Sequence, residues 1–441
     1  MKTKNLPLLL FWLLAGVLPL QAQTLEEEVR AMRAEIQRLR QEVETLRQEV
    51  RGSPQEPSPA EILPVLQAQV QEHAQTKVES ASKFPVKLFG TIVSQTAWNS
   101  GEPNWLDLPN IAGPRRTGEP SGTFISTMRQ SRVGLMLDGP TIGSMKLNGL
   151  YTMDFFGGIP NFSTGQVMGL PRMLYAYARL DGEKSAFQIG QDNMILAPNN
   201  PTSLGAQAFP LMFRSGNLYF RVPQIRAERV LASSEGGEFH AIAGIIAPVA
   251  GDFVAPQAVN YQFVPPPLAG ERSRMPGVQA RLVWRALSAD PYEKPKWELG
   301  ASGHYSRERF VTTVSSWAGA VDFNATLGRF GTGGELFVGR NIDAFGGSVG
   351  QNAQSHGGFI EGRVTATRRF SLNGGFGTDR LYHLARFPAG ITRNSSAFGN
   401  AIYSLTPEFS TSLEYRWLKT RVPLPDRRLN HQLNLIFAYS F

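Results

Sequence analysis

Residues 429–441, LNHQLNLIFAYSF, decide how the rest of the chain is read. Counting back in twos from Phe441 gives Tyr439, Phe437, Leu435 and Leu433, while the other parity carries Ser440, Ala438, Ile436, Asn434 and Gln432. A strict period of two with one wholly apolar face is a strand with lipid on one side and something wetter on the other. Ending on an aromatic residue, with a tyrosine two before it, fits the closing strand of a β-barrel in a bacterial outer membrane.

Working outward, residues 84–441 break into about sixteen alternating stretches of the length a tilted membrane strand needs. Short joints at Asp138-Gly139-Pro140, Asp181-Gly182 and 233–237 read as periplasmic turns. Long ones at 100–123, 157–170, 197–217, 252–275, 344–358 and 380–394 read as external loops. Gly331 to Gly334 lacks the Lys-Ser/Thr of a phosphate loop and is expected as a turn between strands. Taking each stretch's apolar parity as lipid-facing turns charged residues inward. Val133, Leu135 and Leu137 out puts Arg132 in; Leu147, Tyr151 and Met153 out puts Lys146 and Asp154 in. By the same rule Arg281, Arg285, Arg363 and Arg416 point in, beside Glu361 and Glu414. A slip of one residue would place such charges in lipid at about 2–4 kcal/mol each near the midplane. The fold class read here is therefore an all-β transmembrane barrel of about sixteen antiparallel strands, preceded by an α-helical coiled coil.

The first 83 residues have a different texture. Residues 1–22 carry Lys2 and Lys4, an apolar run to Leu20 and small Ala22, the pattern of a secretory signal peptide. Within 23–51, Leu25, Val29, Met32, Ile36, Leu39, Val43, Leu46 and Val50 form an unbroken heptad seam. Glu28, Glu35 and Glu42 at g face Arg33, Arg40 and Arg47 at e of a parallel neighbour. Residues 52–83 open on three prolines and read as a linker. The 441 residues hold no cysteine, which excludes disulfides and thiolate metal sites and fits an exported protein.

Three blocks then carry a family resemblance: RQSRVGLMLDG with KLNGLYTMDFFGG (129–158), LPRMLYAYARLDGEKSAFQIGQ (170–191) and RVPQIRAER (221–229). They resemble the DcaP-like trimeric outer-membrane porins, as does the layout of signal, coiled coil, linker and barrel. The resemblance implies a sixteen-stranded homotrimer in outer-membrane lipid, the coiled coil in the periplasm, and a basic eyelet passing small organic anions such as dicarboxylates. β-branched residues at a with Leu at d favour two strands rather than three, a departure that three barrels meeting at apolar walls should outweigh.

No enzyme is expected: His73, His240, His304, His356, His383 and His431 lack metal-type spacing. No cofactor is expected. The barrel region holds 34 Lys and Arg, 28 of them Arg, against 25 Asp and Glu. Because these charges alternate into a lumen, we read them as an anion-selective lining rather than a nucleic-acid surface. The residues expected to line the pore and bind anions are Arg132, Lys146, Arg172, Arg214, Arg281, Arg285, Arg363 and Arg416, with Arg214 on a loop (197–217) folded inward after the fifth strand. A phosphate-selective porin is one alternative, although only six lysines lie beyond residue 83; a barrel serving as anchor for a cell-wall tether is another. Deleting 25–50 should leave a folded barrel whose oligomer dissociates at lower temperature on semi-native gels, whereas an oligomer of unchanged heat resistance would remove the helix from assembly.

Overall fold

The computed structural model describes residues 85–115, 118, 121–158, 165–249, 267–286, 295–348, 353–382, 390–423 and 428–441, and Gln41 before them. Apart from Gln41, the expected signal peptide, coiled coil and linker lie outside these residues. Lys83–Phe441 forms one compact unit.

That unit is a single sheet of β1 (Val86–Asn99), β2 (Thr123–Thr127), β3 (Arg132–Ile142), β4 (Met145–Asp154), β5 (Arg172–Asp181), β6 (Ser185–Asn193), β7 (Arg221–Ser234), β8 (Gly237–Ile246), β9 (Gly277–Ala286), β10 (Trp297–Arg309), β11 (Thr313–Leu327), β12 (Phe330–Arg340), β13 (Gln354–Thr367), β14 (Phe370–Tyr382), β15 (Arg393–Ser404), β16 (Phe409–Arg421) and β17 (Arg428–Ser440). β1 pairs antiparallel with both β2 and β3, from β3 on each strand pairs antiparallel with the next, and β17 pairs back onto β1. Gln95–Asn99 of β1 face β2 while Val86–Thr91 face β3, so β2 and β3 are two halves of one stave, parted at 128–131. Among the described residues this gives a closed barrel of sixteen staves, with no helix long and apolar enough to cross a membrane. Closure is what a spanning sheet requires, since lipid offers no partner for an open edge.

Alternation is inside out relative to a soluble protein. Along β17 Gln432 and Asn434 are both 0% exposed, while Leu433 is 39% and Phe437 41% exposed. Leu282, Val321, Leu336, Ile360 and Leu413 likewise face outward, and Gln279, Arg281, Asp322, Glu361 and Glu414 are buried inward.

Three connections differ from the sequence reading. Asp138-Gly139-Pro140 is not a turn: it lies in β3, where the register against β4 slips between Asp138 and Thr141, and the chain turns at Gly143-Ser144. A bulge tolerates proline because no ladder bond needs its missing N–H. Gly331 to Gly334 lies inside β12, the turn coming earlier at Gly328-Arg329. The connection from β10 to β11, Phe310 to Thr312, is as short as a turn although it stands at the end where the others are long.

The seam is tight. Gly90 and Phe441 exchange backbone hydrogen bonds of 3.1 and 3.0 Å, and a Cβ at Gly90 would stand 2.6 Å from the Phe441 ring. Gly90→Val should therefore dislodge that ring and cost about 1–3 kcal/mol by overpacking. The variant barrel should unfold at lower temperature on semi-native gels; heat resistance equal to the parent would show that the ring clamps nothing.

Candidate pore constriction

The connection after β6, the fifth stave, folds into the lumen as its prolines and apolar centre predict. A buried loop carries backbone groups that must find partners, and here the inward side chains of the wall supply them. Gln279 Oε1 accepts from Ile195 N (2.7 Å) and Leu196 N (3.1 Å), and Ser302 Oγ from Ala197 N (3.2 Å). The Glu361 carboxylate accepts from Thr202 N, Gln130 Oε1 from Ala208 N (2.8 Å) and Glu335 Oε1 from Leu218 N (2.7 Å). Asn400 Nδ2 donates to Thr202 O (2.8 Å) and Asn394 Nδ2 to Arg214 O (2.9 Å). The loop is thus held in turn by β9, β10, β13, β15, β12 and the β2–β3 stave.

Its apolar stretch forms a second set of anchors. Phe209 packs its ring against Trp105 (5.2 Å), Phe213 (4.9 Å) and Phe156 (6.0 Å). Leu211 and Met212 pack on Phe359 and Phe398 of the wall. The loop comes so close there that a Cβ on Gly377 would meet Ser215 O at 2.5 Å and Met212 Sδ at 2.9 Å. The glycines of β14 therefore make room for the loop rather than flexibility.

Where this loop meets the wall, guanidinium groups gather. The register sets Arg132 of β3, Asp154 of β4 and Arg172 of β5 directly side by side. Arg172 grips Asp154 with Nε–Oδ1 3.1 Å and Nη2–Oδ2 2.7 Å, and Arg129 is paired with buried Asp107. Arg172 Nη2 and Arg221 Nη1 both donate to Ala208 O, at 3.3 and 3.2 Å. Arg221 lies 4.9 Å from the Tyr175 ring and 5.0 Å from that of Tyr219; Arg172 lies 5.0 Å from Phe209. Burial pushes the Tyr219 phenol up, Arg221 pulling the other way, so it stays protonated. The group holds four guanidiniums, of Arg129, Arg132, Arg172 and Arg221, and two carboxylates, of Asp107 and Asp154. Nε of Arg132 and Nε of Arg221 are buried without a hydrogen-bond partner.

The other expected residues go elsewhere. Arg281 is buried between Asp322 (Nη2–Oδ1 2.5 Å) and Glu298 (2.6 Å), and Arg285 shares Glu298 at 2.9 Å. Arg416 is buried against Glu414 and donates to Asp107 O at 3.3 Å. Arg363 Nη2 donates to Asn324 Oδ1 at 2.6 Å. Arg214, buried on the loop, faces Asp343 at 3.5 Å, and burial lowers its pKa while Asp343 and Asp379 raise it. Lys146 stands exposed beside the β3–β4 turn, its Nζ donating to Gly139 O (2.6 Å). The structure thus brings Arg132 and Arg172 together and leaves the others apart. Sequence reasoning missed Arg129, Arg221, Tyr175 and Tyr219. At β5 the cause is a bulge: the register against β4 slips at Leu174, so Arg172 opposes Asp154 and Tyr175 opposes Thr152, both inward. Among the described residues no group of three or more His, Asp and Glu side chains could hold a metal ion.

No family model matches the chain, and no curated protein sequence does. Solved structures do. The outer membrane channel DcaP of Acinetobacter baumannii superposes with a TM-score of 0.63 at 15% identity, over 82% of this chain and 98% of that one. OmpF of Salmonella typhi, solved with daunomycin, gives 0.55 at 10% identity, over 81% and 98%. The anion-selective porin from Comamonas acidovorans gives 0.52 at 10%, over 81% and 99%. The chain therefore has the fold of an outer-membrane porin barrel, and the resemblance to DcaP-like porins extends from the quoted sequence blocks to the fold.

Asn394 holds two loops at once, donating to Asn110 O (2.7 Å) as well as Arg214 O. Asn394→Ala leaves two buried carbonyls without that donor, at about 1–3 kcal/mol each. Trypsin should then cut after Arg214 about tenfold faster or more while the barrel keeps its heat resistance; an unchanged cleavage rate would mean the loop is held without Asn394.

Proposed function

We propose that the protein is a trimeric outer-membrane porin whose channel prefers small organic anions such as dicarboxylates. The observation that carries this reading is the excess of guanidinium over carboxylate beside the inward loop. Positive charge that nearby acids do not cancel, set between low-dielectric walls, focuses a field that draws anions in and turns cations away. Guanidinium is suited to this because its planar fork meets a carboxylate with two parallel hydrogen bonds. Arg132 and Arg221 lie within electrostatic reach of one another, so a solute with two carboxylates can engage both. Passage requires the binding to stay weak, and the aromatic rings and the Ala208 carbonyl already satisfy part of what Arg221 offers.

The same fork also suits phosphate, so phosphate selectivity is the second reading; competition between phosphate and a dicarboxylate in one channel separates the two. Trimeric assembly with the coiled coil in the periplasm belongs to the proposal, as does the location in the bacterial outer membrane that the fold supports.

Replacing Arg132 and Arg221 together by Ala should move the reversal potential in a salt gradient toward cations. Blockages of the current by a dicarboxylate should shorten by roughly tenfold or more, the worth of one lost charged hydrogen bond. Selectivity and blockages equal to the parent would show that these arginines do not face the solute path.

A further inference from the structure

The outer surface of the barrel carries a basic row that the lumen does not account for. Across four neighbouring staves the register sets His356 of β13 opposite Arg380 of β14, Arg380 opposite Arg393 of β15, and Arg393 opposite Arg421 of β16. Lys419 lies two residues before Arg421 on the same parity. This parity is the lipid-facing one: it holds Ile360, Phe376, Leu413 and Tyr415, all exposed, while buried Glu361, Asp379, Glu414 and Arg416 hold the other. The row stands at the stave ends that adjoin connections 383–392 and 422–427, opposite the short β15–β16 turn.

Like charges set directly across a ladder repel and destabilise the pair. Among the described residues none of Arg380, Arg393, Arg421 and Lys419 makes an ion pair with a carboxylate; Arg393 Nε donates only to the Thr378 hydroxyl, at 3.2 Å. Beside the row, on the same face, the wall is hollowed into a groove of about 500 Å³ lined by Phe323, Leu336, Gly358, Ile360 and Phe376, with His356, Arg380 and Arg393 at its mouth. Gly358 occupies the outward position between His356 and Ile360, where a Cβ would meet Leu336 Cδ2 at 2.6 Å, so the floor has no side chain.

We propose that this groove and its basic mouth form a binding site for one phosphorylated lipid of the outer leaflet. An acyl chain lies along the glycine-floored groove, and phosphate groups bridge Arg380, Arg393 and Arg421, with Lys419 beside them. Each half selects against a simpler occupant. A free phosphate ion makes no use of an apolar trough, and an uncharged lipid leaves three adjacent guanidiniums repelling one another. A phosphorylated lipid satisfies both, and phosphate is the partner that a row of planar guanidinium forks fits best. Basic clusters at the headgroup level of a membrane protein recognise anionic headgroups by the same chemistry. The inference rests on the outer-membrane placement only for which leaflet supplies the lipid, and it is independent of what passes through the lumen.

The test is native mass spectrometry of the full chain in detergent, titrated separately with bis-phosphorylated lipid A, its dephosphorylated form and inorganic phosphate. The phosphorylated lipid should be retained, and removing its phosphates should weaken retention by about tenfold or more, with the protein itself unaltered. Arg380→Ser, Arg393→Ser and Arg421→Ser combined should weaken retention equally while single-channel conductance stays at the parental value. Dephosphorylated lipid held as firmly as the phosphorylated form overturns the proposal, and so does displacement of the lipid by millimolar inorganic phosphate. Because the chain has no cysteine, Arg380→Cys can also be oxidised in the membrane; a disulfide between protomers would show a second copy seated on this face and would equally overturn it. Loss of ion conduction with lipid binding intact would sink the channel reading alone.

Discussion

Every part of this structure answers to one constraint, that a backbone N–H or C=O away from water must have a partner. In lipid an unmet group costs several kcal/mol, so the sheet has to close, and closure puts β17 onto β1. Once the outside is committed to apolar side chains, the inside receives the polar ones by alternation alone. Those inward residues then meet the same constraint a second time, for the loop after β6. Prolines 198 and 201 lower the number of N–H groups the loop must place, and Gln279, Ser302, Glu361, Gln130 and Glu335 accept from several of those that remain. A soluble sheet would have used such residues as surface.

Most of the architecture is legible in the chain because lipid makes the period of two nearly obligatory. The readings that went astray share a physical cause. Alternation reports which face a residue occupies only while the ladder is regular, and one extra residue exchanges the faces. At Leu174 that exchange brings Arg172, Tyr175 and Arg179 to the same side, which mixed both parities of 172–180. Asp138-Gly139-Pro140 has turn composition, yet the bulge beside it serves the same residues equally well. Glycines 331, 333 and 334 resemble a turn when counted, but inside β12 they leave room for neighbouring wall strands: a Cβ at Gly331 would meet the Arg363 side chain at 2.9 Å, and one at Gly334 the Phe323 ring at 3.1 Å.

For the site, the sequence yields the charges and not their pairing. Arg132 and Arg281 are alike by alternation: both flank apolar outward residues and both point in. Arg281 is cancelled because its guanidinium reaches diagonally across Gly300 to Asp322 and Glu298 on the next two staves. Which residues come within such reach is a property of register between strands, and nothing in a single strand's pattern encodes it. Arg221 was hidden for another reason. It has the outward parity of Pro223 and Ile225, but it is the first residue of β7, where the chain is still leaving the loop, so its guanidinium turns in to Ala208 O.

Paired and uncancelled arginines thereby take different parts. Networks such as Arg179 with Asp181 and Glu228, continued by Arg226 and Asp192, brace the wall without adding positive field. The uncancelled charge lies where the loop is fastened, and Ala208 joins the two: its N–H goes to Gln130 and its carbonyl takes both Arg172 and Arg221. A carbonyl dipole fixes where Arg221 stands without removing its charge, whereas the Asp154 carboxylate cancels that of Arg172. The position of the loop and the position of the positive field are therefore one structural variable. A displacement of the loop would open the lumen and scatter the charge together, so lumen width and the place of the charge are set by the same few hydrogen bonds.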